Sequence, residues 1–312
     1  MEEAECIFCN KKSLQIVIEE EGYQCKKCPS CDLIYISNKP LLEEIEKIYN
    51  KDGANRSAEE SISGFFSRRL HARHHLRIIK KLIRNGSMLE IGPGEGSFLY
   101  EARKEGFEVV GIELNHIQAN FIRNRLGISC EESPLDASSF GGKNFDIIYH
   151  RDVISHFYDP IAELQKMNER LKDNGFLIFE TGNLGDVEEK YFKLFTSFQL
   201  PDHLCFFSDK NLKELLQRTG FEFINTYRYS KVPLLWIMRS LKATTDPFAS
   251  QREKKCLSKP NRSLLKIIRF IFKYMLRNAF NYFSYLMLYK IGYVIPKKGR
   301  PQSLFIIAHK RK

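Results

Sequence analysis

From residue 88 onward, short apolar runs alternate with stretches of helical period. The runs Met88–Ile91, Phe107–Ile112, Ile128–Glu131, Phe145–Tyr149, Phe176–Glu180 and Ser303–Ala308 predict strands, and Gly220-Phe221 opens another. Between them, Glu95–Glu105, Asn115–Leu126, Ile161–Leu171 and a segment through Arg218 with Ser208 as N-cap predict helices. Strand then helix, repeated, predicts a doubly wound parallel α/β sheet. In front of it, Leu41–Tyr49 is amphipathic, with Leu42, Ile45 and Tyr49 on one face. Residues 50–64 are polar, carry Gly53 and Gly64, and predict a linker. Phe65–Ile83 predicts a longer helix studded with Arg68, Arg69, His71, Arg73, His74, His75 and Arg77. No carboxylate or cysteine joins those histidines, so the pattern predicts a solvated basic face rather than a metal site. Residues 181–201 are long and aromatic, with Tyr191, Phe192, Phe195 and Phe198, and are expected to arch over the site.

The first strand runs into Glu90-Ile91-Gly92-Pro93-Gly94-Glu95-Gly96. Glycine lets the backbone turn sharply and lets a ligand approach it. Strand, glycines, helix N-terminus is the nucleotide-binding edge of an α/β sheet. The spacing G-x-G-x-G is one residue shorter than the dinucleotide pattern. Glu113 closes the second apolar run, where an acid can accept both hydroxyls of a ribose.

Composition bounds the rest. With 43% hydrophobic and 28% charged residues in 312, the chain is globular and long enough for a domain of about 200 residues plus appendages. The N-terminus has neither a basic region nor an apolar core, which predicts a cytoplasmic protein without a signal peptide. Five of eight cysteines fall in the first 31 residues. Cys6-x2-Cys9 and Cys28-x2-Cys31 match the spacing of a four-thiolate zinc ribbon, and four thiolates leave no open position for catalysis, so the zinc is expected to be structural. Cys25 is an alternative to Cys28 or Cys31, but Cys28/Cys31 leaves the better ribbon.

The glycine motif, Glu113 and Phe145-Asp146-Ile147-Ile148 together resemble the class I S-adenosylmethionine (SAM)-dependent methyltransferases. The resemblance implies a seven-stranded Rossmann-like sheet that binds SAM through Glu90, Gly92, Gly94, Gly96 and Glu113, with adenine contacts at Leu135 and Asp136. It extends to His156-Phe157-Tyr158-Asp159-Pro160 and to His203-Leu204-Cys205-Phe206-Phe207-Ser208, and covers about residues 6–230 and 303–310. These runs are similar to a branch that carries a zinc ribbon in front and includes deoxysugar C-methyltransferases. The resemblance implies a general base at His156, with His203 second. Ser155 stands where many relatives have Glu, which weakens the match to the C-methylating enzymes and points toward oxygen as the methylated atom.

Residues 251–312 carry +15 of the chain's net +11, leaving the remainder at −4. Lys266, Arg269, Lys273 and Arg277 share one helical face among aliphatic and aromatic residues, and Asn278–Tyr289 has no charge. The apolar stretch is too short for a bilayer span. A basic amphipathic helix over 262–291 suits an anionic membrane surface, and the competing expectation is packing on protein. The predicted organisation is a zinc ribbon at 1–40, a helical linker region at 41–86, a methyltransferase core at 87–231 and 301–312, and a basic helical insertion at 232–300. The expected function is methyl transfer from SAM to a small-molecule or lipid-linked sugar in the cytoplasm, on the inner face of the membrane if 262–291 docks there. A quinone O-methyltransferase, an RNA methyltransferase using the ribbon and tail, and an inactive SAM-binding module are the alternatives. Basic residues interleaved with long aliphatics, without an aromatic single-strand platform, argue against nucleic acid.

Overall fold

The computed structural model describes residues 2–48, 52–136, 139–245, 275–276 and 278–311. Its strands are β1 (Glu2–Glu3), β2 (Ile16–Glu20), β3 (Tyr23–Lys27), β4 (Ile34–Ile36), β5 (Asn38–Lys39), β6 (Gly86–Ile91), β7 (Phe107–Ile112), β8 (Cys130–Glu131), β9 (Phe145–Arg151), β10 (Leu171–Gly182), β11 (Cys205–Phe206), β12 (Phe221–Ser230) and β13 (Gln302–Lys310). Its α-helices are α1 (Leu42–Ile48), α2 (Asp52–Ser63), α3 (Phe65–Ile79), α4 (Ser97–Lys104), α5 (His116–Phe121), α6 (Pro160–Glu169), α7 (Asp209–Arg218) and α8 (Val232–Thr245).

Seven strands form one sheet in the order β12-β13-β10-β9-β6-β7-β8. The ladders β6–β7, β7–β8, β6–β9 and β9–β10 are parallel, and β13 runs antiparallel to both β10 and β12. This is the Rossmann-like architecture that the apolar runs predict. The central strands are buried on both faces and so read as near-continuous apolar runs. After β6 the chain moves outward to β7 and β8, then returns to β9 on the other side. The crevice above the carboxyl ends of β6 and β9 is therefore the topological switch point, where such sheets bind ligands.

Two departures from the sequence pattern shape this edge. The polar stretch expected as a linker contains helix α2, which runs to Gly64, where α3 begins. Tertiary contact holds this polar segment in place: Asn55 Oδ1 accepts from Asn115 Nδ2 at 3.1 Å, and Ser61 donates to Glu95 at 2.8 Å. The face of α3 expected to be solvated is also largely engaged. Arg68 pairs with Glu95, while Arg69 and Arg73 both pair with Glu101 of α4. His75 is fully buried, with Nδ1 2.7 Å from the Tyr149 hydroxyl and Nε2 3.0 Å from that of Tyr289. His74 stacks on Tyr289 and bonds the Tyr229 hydroxyl at 2.8 Å. Against the expectation that no carboxylate joins these histidines, Glu180 of β10 lies 3.3 Å from His75 Nε2, and tyrosine hydroxyls supply the hydrogen bonds.

A second, antiparallel sheet has the order β11-β4-β3-β2. Its fourth strand, Cys205–Phe206, comes from the far side of the main sheet and pairs Cys205 with Tyr35 and Phe206 with Ile34. The aromatic stretch 181–201, expected over the site, packs on this sheet: Tyr191, Phe192, Phe195 and Phe198 lie against Ile18, Ile34 and Ile36. Glu20 fixes it by accepting the backbone N–H of Phe198 and of Leu200, the latter at 2.9 Å. Of the 232–300 insertion, the described C-terminal part packs Tyr285, Leu288 and Tyr289 into the core against α3. Lys266, Arg269 and Lys273, three residues of the predicted basic face, lie outside the described residues, as does Arg277.

Candidate active site and cysteine cluster

The glycine motif turns at the carboxyl end of β6 as expected. Gly92, Gly94 and Gly96 all have positive φ, +65°, +58° and +73°. A Cβ on Gly92 would lie 2.7 Å from Val153, and one on Gly96 2.8 Å from Ile122 and Leu126, so those two are fixed by packing as well as by φ. Gly94 differs, because its nearest neighbour would be the Gln118 amide at 3.7 Å, and the backbone there is open to an approaching group. Glu113 reaches across from β7. Its Oε2 accepts the Gly94 N–H and its Oε1 the Asn115 N–H, both at 2.9 Å. Burial pushes its carboxyl up to about 7 against the pull of those two bonds. Each oxygen retains a second lone pair.

Glu90 is 4% exposed and its Oε2 has no hydrogen-bond partner among the described residues. Burial raises its pKa well above the usual carboxylate range, with Arg151 opposing and Glu95 and Glu113 adding to the rise. An orphaned buried carboxylate oxygen beside an open glycine turn fits a cofactor with a cationic end, as SAM has. Glu95, which spacing did not single out, is a tie between layers: it accepts from Ser61, Arg68 and Ser97, each at 2.8 Å, and fastens α2 and α3 to the motif. Nothing local marks that role, because its partners come from 27 and 34 residues upstream. Leu135 is buried beneath the edge with Ile91 and Ile112. Asp136 is exposed and caps a turn, accepting the Ser139 N–H at 2.9 Å.

The two predicted histidines come together. His156 ends a 3-10 turn after β9, and His203 precedes β11, yet their ring centroids are 4.6 Å apart. His156 Nδ1 is 3.0 Å from the Asp202 carbonyl oxygen, and a carbonyl only accepts, so that nitrogen carries the proton. The Asp202 carboxylate lies 3.1 Å from the same nitrogen, too oblique for a good hydrogen bond but close enough for its charge to act. Burial opposes the imidazolium, but the Asp202 side chain outweighs it and raises the His156 pKa. His203 donates Nδ1–H to the Phe198 carbonyl at 2.8 Å, and burial together with the neighbouring His156 lowers its pKa to about 4. Each ring therefore spends Nδ1 on the backbone and keeps Nε2. The loop is pinned from both sides: Leu204 donates its N–H to Ser155 at 2.8 Å and accepts that of Ile36 at 2.9 Å. Asp202 is the partner of His156 that the sequence pattern did not mark, and its adjacency to His203 is the available signal. Asp159 and Pro160 turn out to start α6, with Asp159 Oδ1 accepting the N–H groups of Ile161 and Ala162 at 3.0 Å.

The ligand atoms of Cys6, Cys9, Cys28 and Cys31 all lie within 4.8 Å of one another. A tetrahedral shell with Zn–S of about 2.3 Å sets its sulfurs about 3.8 Å apart, so this donor set fits Zn2+. Asn10 and Asp32, each just after the second cysteine of its pair, take positive φ and turn both knuckles alike. Cys25 is elsewhere, buried among Ile18, Ile34 and Phe206, which resolves the alternative in favour of Cys28 and Cys31. Helix α7 holds the cluster to the main sheet: Asn211 donates to the Cys31 carbonyl at 2.7 Å and Arg218 to that of Phe8 at 3.1 Å.

A protein-family model described as a methyltransferase domain matches residues 65–226, just over half of the chain. Among curated proteins, the chain is 28% identical over 101 residues to the ubiquinone biosynthesis O-methyltransferase of Cereibacter sphaeroides, covering 31% of this chain and 41% of that one. It is 26% identical over 215 residues to the tRNA U34 carboxymethyltransferase of Alteromonas mediterranea, covering 59% and 61%. The chain thus spans less than two thirds of the length of either relative. Among solved structures, phosphoethanolamine N-methyltransferase 2 of Haemonchus contortus, in complex with S-adenosyl-L-methionine, is similar in fold at a TM-score of 0.51 and 15% identity, covering 89% of this chain and 62% of that one. With the sheet order, the glycine turn and the matched family model in agreement, the chain belongs to the SAM-dependent methyltransferase-domain family.

Proposed function

We propose that this protein methylates a sugar or glycan-biosynthesis intermediate, using SAM held at the β6–β9 crevice and the His156–His203 pair as its proton acceptor. The reading is carried by the meeting of those two histidines, with the Asp202 carboxylate facing His156, beside the sheet edge that carries the glycine turn. Bound at that turn, SAM supplies a methyl group made electrophilic by its sulfonium. Glu113 would take the ribose hydroxyls, Leu135 and Asp136 the adenine, and the unpaired Glu90 oxygen would face positive charge. His156 would take at Nε2 the proton that an acceptor hydroxyl releases, with its Nδ1–H held by the Asp202 carbonyl and the resulting imidazolium favoured by the Asp202 carboxylate. His203, its ring 4.6 Å away, is the second candidate. Ser155 in the place of a second acid favours oxygen over carbon as the methylated atom. The zinc ribbon in front and the His203–Ser208 run support the sugar class, and Zn2+ on the four thiolates is structural.

Among the described residues, no helix is long and apolar enough to cross a membrane. Trp236, Tyr293 and Val294 are each more than half exposed, with Lys290, Lys297 and Lys298 close in sequence to the last two. Apolar and cationic groups mixed in this way suit the anionic inner face of a bilayer, where a lipid-linked sugar would be met. The curated quinone relative favours one second reading, a quinone O-methyltransferase. Methyl-labelled SAM added with purified protein to a lysate of the source organism separates them. Label in nucleotide sugars or glycolipid is the expected result, label in quinones selects the second reading, and label in RNA overturns both.

A further inference from the structure

Strand β9 ends in Arg151, whose guanidinium is poorly matched by its surroundings. It stands in register with Glu180 of β10, on the sheet face that also carries Tyr149 two residues earlier. Glu180 is already committed: its carboxylate accepts from Tyr289 at 3.0 and 3.1 Å and from Ser303, and His75 lies 3.3 Å away. The carboxylate nearest to Arg151 among the described residues is that of Asp152, 3.8 Å from Nε, and none of its five N–H donors makes a hydrogen bond there. The side chain is 31% exposed, and Tyr149, Tyr289 and Glu180 lie near enough for their charges to act on it. A second cation lies near. Lys231 follows β12, its Nζ comes within 3.8 Å of where a Cβ on Gly182 would sit, and it has no ion pair among the described residues. Both cations act on Glu180, whose own bonds leave it little capacity to satisfy either.

A partly exposed guanidinium with no hydrogen-bond partner among the described residues is available to a ligand, and its fork geometry matches carboxylate and phosphoryl oxygens. We infer that Arg151 and Lys231 form an anion seat that takes a carboxylate or phosphoryl group of a bound ligand. The inference rests on the methyl-transfer reading in one respect: the anion belongs either to the amino-acid end of SAM or to the acceptor.

Calorimetric titration of the full chain with S-adenosylhomocysteine, with 5′-methylthioadenosine (which lacks the amino-acid end) and with inorganic pyrophosphate tests it, using wild type, Arg151→Gln, Arg151→Lys and Lys231→Gln. If the seat takes the cofactor's carboxylate, Arg151→Gln weakens S-adenosylhomocysteine about tenfold or more, leaves 5′-methylthioadenosine unchanged, and Arg151→Lys recovers part of the loss. If it takes an acceptor phosphate, S-adenosylhomocysteine binding holds while pyrophosphate binding to that complex is lost in Arg151→Gln and weakened in Lys231→Gln. Equal weakening of both nucleosides, or no change with any ligand, overturns the seat. A wild-type protein that binds neither nucleoside would instead defeat the SAM reading, and pyrophosphate alone would then decide the seat.

Discussion

Two histidine clusters lie in this chain, and they use the same side chain in opposite ways. In the His71–His75 group, both nitrogens of His75 are taken by tyrosine hydroxyls and the ring is sealed from solvent. Burial lowers the pKa of His74 to about 4 and of His75 well below the usual value, so both are neutral packing elements. In the His156–His203 pair, each ring spends only Nδ1, and a carboxylate faces one of them. Helical spacing drew attention to the first group, and long-range convergence made the second. His75 has no ring nitrogen left over, whereas His156 and His203 each keep Nε2, and the Asp202 carboxylate stands beside the pair.

The comparison can be broken most severely at the cysteines. The His156–His203 loop hangs on the N-terminal sheet through Leu204, whereas the His71–His75 group packs on the main sheet and Tyr289, against Tyr149 of β9, Glu180 of β10, Tyr229 of β12 and Phe305 of β13. A four-thiolate zinc site contributes on the order of 10 kcal/mol in small domains. Chelation, or Cys28→Ser, is therefore expected to unfold the N-terminal sheet and abolish turnover. Hydrogen exchange around β9 and α3 should persist, and loss of protection in both regions together would show that the clusters are not separable. Next, His75→Ala should cost about 2–4 kcal/mol in denaturant melts, because it opens a cavity and strands the buried Tyr149 hydroxyl. Its turnover per folded molecule should stay near wild type, and a loss of chemistry as large as that of the His156 variant would erase the distinction. His156→Ala should lower turnover about 10²-fold or more with little change in melting, and full activity would remove it from the mechanism.

The smallest effect is in protonation. Asp202 raises the His156 pKa above its ordinary value of about 6.5. The stability this pairing supplies is complete below about pH 6.5 and is lost as pH rises through the raised folded pKa. Asp202→Asn should bring the His156 titration, followed by NMR, back toward or below its ordinary value and flatten that pH dependence. An unmoved titration would mean that the carboxylate's charge does not reach the ring.

What was legible in the sequence was local. Apolar runs bounded by glycines gave the sheet, because a strand buried on both faces must be apolar along its length. The two Cys-x-x-Cys knuckles and the three glycines were readable because their chemistry needs fixed short spacing. The Asp159-Pro160 and Ser208 helix starts were local too, and Ser208 indeed forms a capping box with Asn211. What was not legible depends on partners far away in the chain. Helix α2 has a polar sequence and is held by Asn115 and Glu95. The basic face of α3 is neutralised by Glu95 and Glu101. The aromatic stretch 181–201 finds its apolar partner in the N-terminal sheet, where nothing in its own pattern points.

The strand exchange at β11 has a consequence for how the protein is made. Residues 34–36 leave the ribosome long before Cys205 and Phe206 do, so through most of synthesis one edge of the N-terminal sheet has no neighbour. An open edge is a template for pairing with other chains. A nascent or truncated chain that stops short of residue 205 carries that exposed edge, and so would any fragment cut between the cysteine module and the sheet it rests on. The module is thus a poor candidate for separate expression, and residues 16–310 are the shortest span in which every strand of the four-stranded and seven-stranded sheets has its neighbours.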